Sequence, residues 1–466
     1  MRQGAIIVID IGKTLSKVSL WSRDGHMVDR QTRANLPCQV DGVRCLDAVG
    51  IGDWLLDALT HYAGQPVECI VPVGHGAGVV ALGQSGPVMS PIDYEQAPPQ
   101  DILAAYRRER DPFAVTGSPA LPDGLNMGAQ IFWMDRMAPE AMRGTILLPW
   151  AQYWSWFLTG RAVSEVTSLG CHSDVWAPGD ADFSPMARRL GWAERFAPVV
   201  PAAETIGTLT AEVAHRTGLP ASTRVLAGLH DSNAALLAAR GFAEIAGQEA
   251  TVLSTGTWFV AMRLPSSPVD LSVLPEARDC LVNVDAYGHP VPSARFMGGR
   301  EIESLIEIDT RRVDIKPDQP ALLAAVEGVL ASGTMILPTL APGFGPYPDG
   351  QFEWINRPDD WFARRAAACL YAALVADTAI GLIGSRGRVL VEGRFAEAEV
   401  FVRALARLRP DVDVYVGHAQ HDVSFGALRL IDPGLRPGGS LTRVRPLDAD
   451  MTDYRAAWAD RVRILA

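Results

Sequence analysis

The chain begins with an apolar run that ends in a charged turn, and this pattern restricts the fold more than any other feature. Ala5–Asp10 predicts a buried strand, Ile11–Thr14 a tight polar turn, and Val18–Trp21 a returning strand. A third strand is expected near Met27–Arg30, after an Asp-Gly hairpin turn. Helical periodicity around Ala48–Tyr62 separates this meander from a further strand at Val67–Val73.

The same order of elements recurs in the second half of the chain. Ala250–Ser254 predicts a strand, Thr255–Thr257 a polar turn, and Trp258–Met262 a returning strand. This indicates a weak internal duplication, although hairpins are common and one repeat is modest support. The polar, Pro- and Gly-rich stretch Gly83–Pro122 is interpreted as surface elaboration.

Length and composition predict a globular protein of two domains. The 466 residues are 48% hydrophobic and 20% charged, enough to bury a sizeable core. Two domains of roughly 230 residues are expected, residues 1–240 and 241–466, with the boundary near Arg240–Gly247.

The charge and the apolar segments predict a soluble cytoplasmic protein. A net charge of −11 argues against nucleic acid as a partner. No signal peptide is visible, and the best candidate for a membrane span, Cys369–Gly384, carries Asp377. The six cysteines form no CxxC pair and are expected to be reduced.

The first turn combines residues suited to binding phosphate. Gly12 lets the backbone approach a ligand, Thr14 adds a hydroxyl, and Lys13 and Lys17 add compact positive charge. The chain has only three lysines among 42 basic residues, so two within one turn are informative. Asp10 ends the buried strand and could hold Mg²⁺ through water. An ordinary hairpin with a capping Asp is an equally weighted alternative.

The second turn repeats this chemistry with hydroxyl groups. Ser254, Thr255, Gly256 and Thr257 suit a second phosphate-binding turn. A polar hairpin alone explains such a string more often. Two such turns facing each other would clamp a polyphosphate.

A third segment supplies a carboxylate at the start of a helix. A strand before Gly228 leads into a helix beginning near Asp231. The helix dipole keeps such a carboxylate charged, so it can accept the proton of a substrate hydroxyl during phosphoryl transfer. Asp231 alone would more often be a helix N-cap.

Together these segments resemble the FGGY carbohydrate kinases of the sugar kinase, actin and Hsp70 superfamily. The resemblance spans nearly the whole chain and rests on four segments: Asp10-x-Gly12-x-Thr14 with Lys17, Leu148–Gly160 followed by Glu165–Ser168, Gly228-x-x-Asp231, and Ser254–Thr257. It implies an α/β fold of two actin-like (ribonuclease H-like) domains, each a mixed five-stranded sheet with flanking helices. The active site would lie in the cleft between them, with the sugar and the catalytic Asp in the N-terminal domain and ATP in the C-terminal one.

The resemblance also assigns roles to individual residues. It implies ATP and Mg²⁺ as cofactors, Asp231 as catalytic base, Asp10 as the metal residue, and phosphate binding by Gly12, Lys13, Thr14, Lys17, Ser254, Thr255, Gly256 and Thr257. The adenine side would be Gly393, Arg394, Phe395 and Ala396. Here the chain departs from the family, because only Gly393 remains of the usual Gly-Gly-Gly run.

The sugar is expected to contact His75, Gly76, Asp231 and Ser232, with His75 donating to a hydroxyl or serving structurally. Asn126, Gln130 and Trp133 are weaker candidates, more consistent with a helix surface. Lys13 in the first turn resembles a variant of rhamnulose and fuculose kinases. The predicted substrate is a 6-deoxy-ketohexose such as L-rhamnulose or L-fuculose, then a ketopentose (xylulose, ribulose), then glycerol or another polyol.

Two further expectations stay open. A non-catalytic regulator that binds ATP or sugar on the same fold is the alternative of another class, and a homodimer is allowed. His418, His421 and Asp422 offer too few ligands for a metal site and are interpreted as a surface loop.

Overall fold

The computed structural model describes residues 4–417 and 423–465 and is built on two seven-stranded mixed sheets. The chain divides into two compact units: Met1–Gly241 with Val282–Pro290 and His421–Pro437, and Phe242–Leu281 with Val291–Gln420 and Gly438–Ala466. The predicted two-domain α/β fold with mixed sheets is confirmed. The expected five strands per sheet are wrong: each sheet has seven, and short strands such as Leu229–His230 in the first and Leu441–Arg443 in the second contribute to the larger number.

The first sheet is buried on both faces, which explains its apolar first strand. Its strands lie in the order Thr205–Thr208, Arg224–Leu226, Val67–Gly74, Ala5–Ile11, Leu15–Trp21 and Met27–Ala34, and Leu229–His230 also pairs with Val67–Gly74. Ile7 packs in the cluster that contains Leu55 and Trp154, whereas its neighbour Val8 packs in the cluster that contains Leu237. Alternate side chains of one strand thus enter two separate cores.

Helices and three small sheets complete the first unit. The helices are Ala48–Thr60, Gln100–Glu109, Phe113–Thr116, Met127–Met137, Pro139–Met142, Trp150–Thr159, Val166–Leu169, Pro185–Arg189, Ala211–Thr217, Asp231–Ala239 and Val423–Leu428. The small sheets pair Cys38–Val40 with Val43–Cys45, Val79–Gly83 with Gly86–Pro87 and Ile146–Pro149, and Trp176–Ala177 with Asp182–Phe183.

The second sheet has the order Cys280–Val284, Pro290–Phe296, Phe259–Leu264, Ala250–Thr255, Arg388–Gly393, Asp413–Gly417 and Leu441–Arg443. A two-stranded sheet pairs Met335–Leu337 with Glu353–Ile355. The helices here are Gly298–Ile306, Gln319–Ala331, Trp361–Leu382, Glu399–Leu408 and Thr452–Leu465. Short 3₁₀ turns are found at Leu271–Val273, Glu276–Arg278, Lys316–Asp318 and Arg394–Glu397.

The helix Trp361–Leu382 is long and apolar enough to cross a membrane by length and composition alone. Its most apolar stretch is 83% buried within the protein, as in the core helix of a soluble fold.

The duplication predicted from the two hairpins extends through six strands of each sheet. Starting from the edge strands Thr205–Thr208 and Leu441–Arg443, successive pairs are antiparallel, parallel, parallel, antiparallel and antiparallel in both sheets. In each, the strand before the Gly/Thr turn therefore occupies the same central position.

Gly228 lets the chain pass close to Pro72 just before the helix that begins at Asp231. Replacing Gly228 tests whether this close approach matters for stability. Gly228 has a φ of +76°, and a Cβ there would overlap the carbonyl oxygen of Pro72. We expect Gly228→Ala to lower the free energy of unfolding by more than about 2 kcal/mol, since backbone strain and a clash add. Urea denaturation of both proteins measures the difference.

The matched control is Gly144→Ala, whose φ of +71° is similar but whose Cβ would meet nothing within 4 Å. Gly144→Ala should lower the free energy of unfolding only by the cost of a left-handed backbone conformation, about 1 kcal/mol. Equal losses in both variants would show that the close approach to Pro72 is unimportant.

Candidate active site

The polar residues of the first unit meet where parallel strands end. Ile11 and His230 are both register partners of Gly74 in the central strand. His75 follows one strand end and Asp231 another, so both leave the carboxyl edge of the same sheet. Ligands of open α/β sheets usually bind at such an edge.

Close contacts rather than unusual backbone angles explain the glycine of the first turn. The turn is closed by the Gly12 amide, which donates to Leu15 O at 3.1 Å, and a Cβ on Gly12 would lie 3.0 Å from that oxygen. Asn35 donates to Gly12 O at 2.8 Å and accepts from Ser16 Oγ at 2.9 Å. These hydrogen bonds hold the backbone of the first turn in place, and Asn35 directly follows the neighbouring strand Met27–Ala34.

Lys13 is already engaged by carboxylates. Its ammonium forms a short ion pair with Asp93, lies 3.7 Å from Glu95, and stands 4.6 Å above the ring of Tyr94. Arg44 Nε binds the other oxygen of Asp93 at 2.8 Å. Burial favours neutral Asp93, but hydrogen bonding to Lys13 and the nearby cations outweigh it and hold the pKa of Asp93 below its usual value.

Asp10 and Lys17 face each other across the first hairpin. They are register partners, and Lys17 Nζ lies 2.9 Å from Asp10 Oδ2. Asp10 is only 4% exposed. A cation bound by Asp10 would share that carboxylate with Lys17. The described part of the chain contains no group of three or more His, Cys, Asp or Glu side chains suited to a metal.

His75 is a hydrogen-bond acceptor, which corrects the predicted donor role. Its Nδ1 lies 2.6 Å from Gly76 O, so that nitrogen carries the proton and Nε2 keeps a lone pair. Burial lowers the pKa of His75 to about 4, and the ring is neutral at pH 7. Trp150 stacks on it at 5.5 Å and Tyr94 meets it edge-on at 5.3 Å.

Gly76 lies against the site and leaves no room for a side chain. A Cβ there would be 2.5 Å from Cys171 Sγ and 3.0 Å from His230 Nε2. Its predicted contact with sugar is therefore limited to backbone atoms.

Asp231 is the first residue of its helix, and His230 is the N-cap. Oδ1 of Asp231 accepts from Ser232 N at 2.6 Å and Ser232 Oγ at 3.2 Å, and lies 3.0 Å from His230 Nε2. The side chain is 30% exposed. Burial opposes ionisation, but the charge and hydrogen bond of His230 outweigh it, and the pKa of Asp231 falls below its usual value. A charged carboxylate at this position can accept a proton.

The second turn presents two exposed hydroxyl groups. Ser254 and Thr257 are exposed, whereas Thr255 is 1% exposed and its hydroxyl donates to Glu392 O at 2.5 Å and accepts from Phe395 N at 3.1 Å. Thr255 can therefore offer only backbone atoms to a phosphate. Gly256 N closes the turn on Trp258 O at 3.0 Å.

A helix begins against this turn, which the sequence pattern did not reveal. A Cβ on Gly299 would overlap Gly256 O, and Arg300 N donates to Thr257 O at 3.3 Å. The amino end of the helix Gly298–Ile306 therefore adds a positive dipole end beside the second turn.

The segment predicted to contact adenine, residues 393–396, is partly buried in the core. Phe395 is 2% exposed and packs on Phe259 at 5.3 Å, so its ring is unavailable. Arg394 binds Glu303 at 3.0 Å. Gly393 has a φ of +87°, and a Cβ there would lie 2.5 Å from Thr255 O. A pocket of about 290 Å³ lies beside the helix Gly298–Ile306. It is lined by Met297, Arg300, Glu301, Ser304, Leu340, Ala341, Pro342 and Phe344.

The three weaker sugar candidates are buried, so the expected helix surface is wrong. Asn126 is 2% exposed and donates to Pro119 O and His172 O at 3.0 and 2.9 Å. Gln130 and Trp133 are also buried. His418, His421 and Asp422 lie outside the described residues.

Comparisons with known proteins identify the family to which the chain belongs. The description "Carbohydrate kinase FGGY, C-terminal domain" matches residues 247–437. The crystal structure of a carbohydrate kinase from Novosphingobium aromaticivorans is 69% identical, with a TM-score of 0.97 over 100% of this chain and 99% of that one. L-fuculokinase of Salmonella typhi is 28% identical over 302 residues, 59% of each chain.

A more distant solved structure supports the fold alone. Plasmodium falciparum glycerol kinase with ADP is 12% identical, with a TM-score of 0.79 over 99% of this chain and 98% of that one. The alignment with the fuculokinase spans about three fifths of that enzyme's length. The class to which the fold and these comparisons assign the chain is the carbohydrate kinases. Within that class, the chain belongs to the FGGY family.

The Asp93 ion pairs offer a test of the electrostatics of the first turn. We expect Asp93→Asn to lower the free energy of unfolding by about 3 kcal/mol at pH 7, because Lys13 and Arg44 lose a buried counter-charge. The folded pKa of Asp93 is depressed, so this stability is present above the unfolded pKa of about 4 and lost as pH falls through the folded value. Urea denaturation at several pH values measures it.

Glu95→Gln is the matched control, since Glu95 is 49% exposed and also lies near Lys13. Glu95→Gln should lower the free energy of unfolding by less than about 1 kcal/mol. A loss for Asp93→Asn that does not shrink in acid would contradict the assigned pairing.

Proposed function

We propose that the protein is a kinase that transfers the γ-phosphoryl group of ATP to a hydroxyl of a small ketose. The observation that carries the proposal is Asp231: a charged, partly exposed carboxylate at the carboxyl edge of the sheet, with Oδ1 occupied by neighbouring donors. Such a group suits the removal of a hydroxyl proton during phosphoryl transfer.

In the proposed reaction, Asp231 takes the proton of the acceptor hydroxyl. The hydroxyl oxygen forms a bond to the γ-phosphorus, the bond from that phosphorus to the β–γ bridging oxygen breaks, and ADP leaves. The loose transition state needs positioning and charge neutralisation more than a strong base. The first turn, through Gly12, Thr14 and Lys17, and the second, through Ser254 and Thr257, would bind phosphate oxygens.

Mg²⁺ is compatible with the residues present. Mg²⁺ usually keeps several waters and binds one or two carboxylates together with phosphate oxygens, so a three-residue cluster is not required. Asp10 is a single carboxylate at the end of the first strand, beside the first turn, and would hold the ion through water. When bound, the ion would neutralise phosphate charge.

Deoxy-ketohexoses remain the first choice of acceptor. Similarity to the L-fuculokinases supports this choice, although only part of their length is matched. The lone pair of His75 Nε2 would accept a hydrogen bond from a sugar hydroxyl. Ser232 and the backbone of Gly76 would lie beside the sugar. Ketopentoses and polyols are the next candidates, and we place the enzyme in the cytoplasm. Placement of the site in a cleft between the domains stays a prediction.

Replacement of the base is the direct test of this mechanism. Asp231→Asn keeps the shape of the side chain and removes its basicity, so kcat should fall at least about 10³-fold while the Kd of ATP changes little. Coupled ADP release measures the first and calorimetry the second. Substantial turnover in this variant would remove Asp231 from the role.

The acceptor class is tested by ADP release with L-fuculose, L-rhamnulose, D-xylulose, L-ribulose and glycerol. The proposed order of kcat/KM places the two deoxy-ketohexoses first. ATP binding without ADP release from any acceptor would favour the regulator instead.

Glu392 should make ATP binding depend on pH. It is the register partner of Ser254, and burial raises its pKa to about 7. Above pH 7 the carboxylate is charged beside the proposed phosphate turn and weakens binding. Glu392→Gln should therefore lower the Kd of ATP about three-fold or more at pH 8 and leave it unchanged at pH 6.

Calorimetry at both pH values measures the Kd of ATP. The control is Glu397→Gln, an exposed carboxylate of the same segment that is paired with Lys316 at 2.9 Å. It should show no such pH difference. An equal Kd for wild type and Glu392→Gln at pH 8 would place the phosphates away from this carboxylate.

A further inference from the structure

The residue before Asp231 lies at the centre of a buried polar cluster. His230 is 4% exposed, and its Nε2 lies 3.0 Å from Asp231 Oδ1 and 3.6 Å from Cys171 Sγ. Its Nδ1 lies 3.4 Å from the side-chain nitrogen of Asn233. Neither Cys171 nor Asn233 has a role in the proposed phosphoryl transfer.

The contact with Asp231 fixes the position of one proton. Two acceptors facing each other at 3.0 Å would repel, so Nε2 carries a hydrogen and donates it to Oδ1. The same N–H points towards Cys171 Sγ, which can accept it as a second partner.

Asn233 accounts for the other ring nitrogen. Its buried Oδ1 has no partner among the described residues, while its Nδ2 faces His230 Nδ1. The two ends of an amide have the same shape, and the opposite orientation of Asn233 would let Oδ1 accept from an Nδ1–H. In that orientation Oδ1 accepts from the ring and Nδ2 takes the position that lacks a partner, so both ring nitrogens of His230 are donors.

The backbone of His230 is also held. Its amide donates to Thr167 Oγ1 at 2.9 Å, and that hydroxyl donates to the fully buried Glu165 at 2.5 Å. Ring and backbone are thus both anchored.

We propose that His230 is a positioning residue for Asp231: its Nε2–H holds Oδ1, with Cys171 and Asn233 bracing the ring, so that Oδ2 takes the proton of the acceptor hydroxyl. Oδ1 also accepts from Ser232, whereas Oδ2 accepts no hydrogen bond from the residues that the structure describes. The inference rests on the proposed function of Asp231 as base.

The electrostatics of the cluster agree with this geometry. Burial alone would lower the pKa of His230, but the charges of Cys171 and Asp231 raise it overall. Burial would raise the pKa of Cys171, but His172 and His230 lower it to about 6. The titratable groups that act on these three residues from neighbouring elements are His75, Tyr94, Glu165 and His172.

The kinetic test uses His230→Ala and His230→Gln with the best acceptor of the panel. His230→Ala should lower kcat about 100-fold with the KM of ATP within about two-fold, since Asp231 loses its fixed orientation. The acid limb of the kcat profile should move up by about one pH unit, because the donor that lowers the pKa of Asp231 is gone. His230→Gln provides a neutral hydrogen-bond donor, so its kcat should be about ten-fold higher than that of His230→Ala. The acid limb of its kcat profile should stay at the higher pH, because the positive charge is still missing.

A fall in kcat with an unmoved acid limb would mean a merely structural role and would overturn the proposal. So would unchanged kcat in His230→Ala. The bracing by Cys171 is tested with Cys171→Ala against Cys69→Ala, a buried thiol in the sheet core that does not contact His230. Only the first should alter the pH profile.

A titration independent of turnover separates this inference from the proposed function. In ¹⁵N-histidine-labelled full-length protein, His230 should lose its charge at lower pH in Asp231→Asn and in Cys171→Ala than in wild type. An unchanged His230 titration in Asp231→Asn overturns the positioning contact. Absence of sugar phosphorylation by wild type would instead overturn the proposed function and leave this titration to decide the contact.

Discussion

The parallel pairing of three strands is the constraint on which the candidate site depends. Ala5–Ile11 and Leu229–His230 both run parallel to Val67–Gly74, so residues more than 200 positions apart in the chain leave one sheet edge together. Local propensity cannot create this proximity, since the two outer segments never pair with each other. The apolar side chains that bury both sheet faces, such as Ile7 and Val8, therefore also fix the positions of the polar groups.

Polar groups at that edge are tolerated because each buried charge has a partner. Asp93 is shared by Lys13 and Arg44, Asp10 faces Lys17, and His230 lies between Asp231 and Cys171. A buried charge without a partner would cost several kcal/mol, so the pairs are a condition for folding as well as for chemistry. Glu165 is the contrast: it forms no ion pair among the described residues, and burial raises its pKa to about 7 despite the nearby charge of His230.

The sequence predicted the parts of this arrangement that have a local signal. The hairpins and the start of the helix at Asp231 follow from periodicity, turns and charge. Five strands per sheet were expected from the family resemblance, whereas each sheet has seven, among them short strands such as Leu229–His230 and Leu441–Arg443 that have no period to detect. Asp93 was missed because it lies in a Pro- and Gly-rich stretch interpreted as surface, yet it is fully buried beneath Lys13. Cys171 contacts His230 directly, and Glu165 is connected to it through Thr167. Spacing along the sequence cannot reveal these contacts.

The scarcity of lysine was the most informative compositional signal, and the structure gives it a physical reason. Lys13 and Lys17 each place a compact ammonium on a carboxylate beside one turn, where a guanidinium fork would need more room. Should a triphosphate draw Lys13 away, Asp93 would keep Arg44 at 2.8 Å and would not be left as an unpaired buried charge. Arg44 thus lowers the cost of exchanging a carboxylate for a phosphate on Lys13. Because the Lys13 ammonium is paired in the present structure, its proposed role in binding phosphate depends on this exchange, whereas the proposed role of Thr14, whose side chain is exposed, does not.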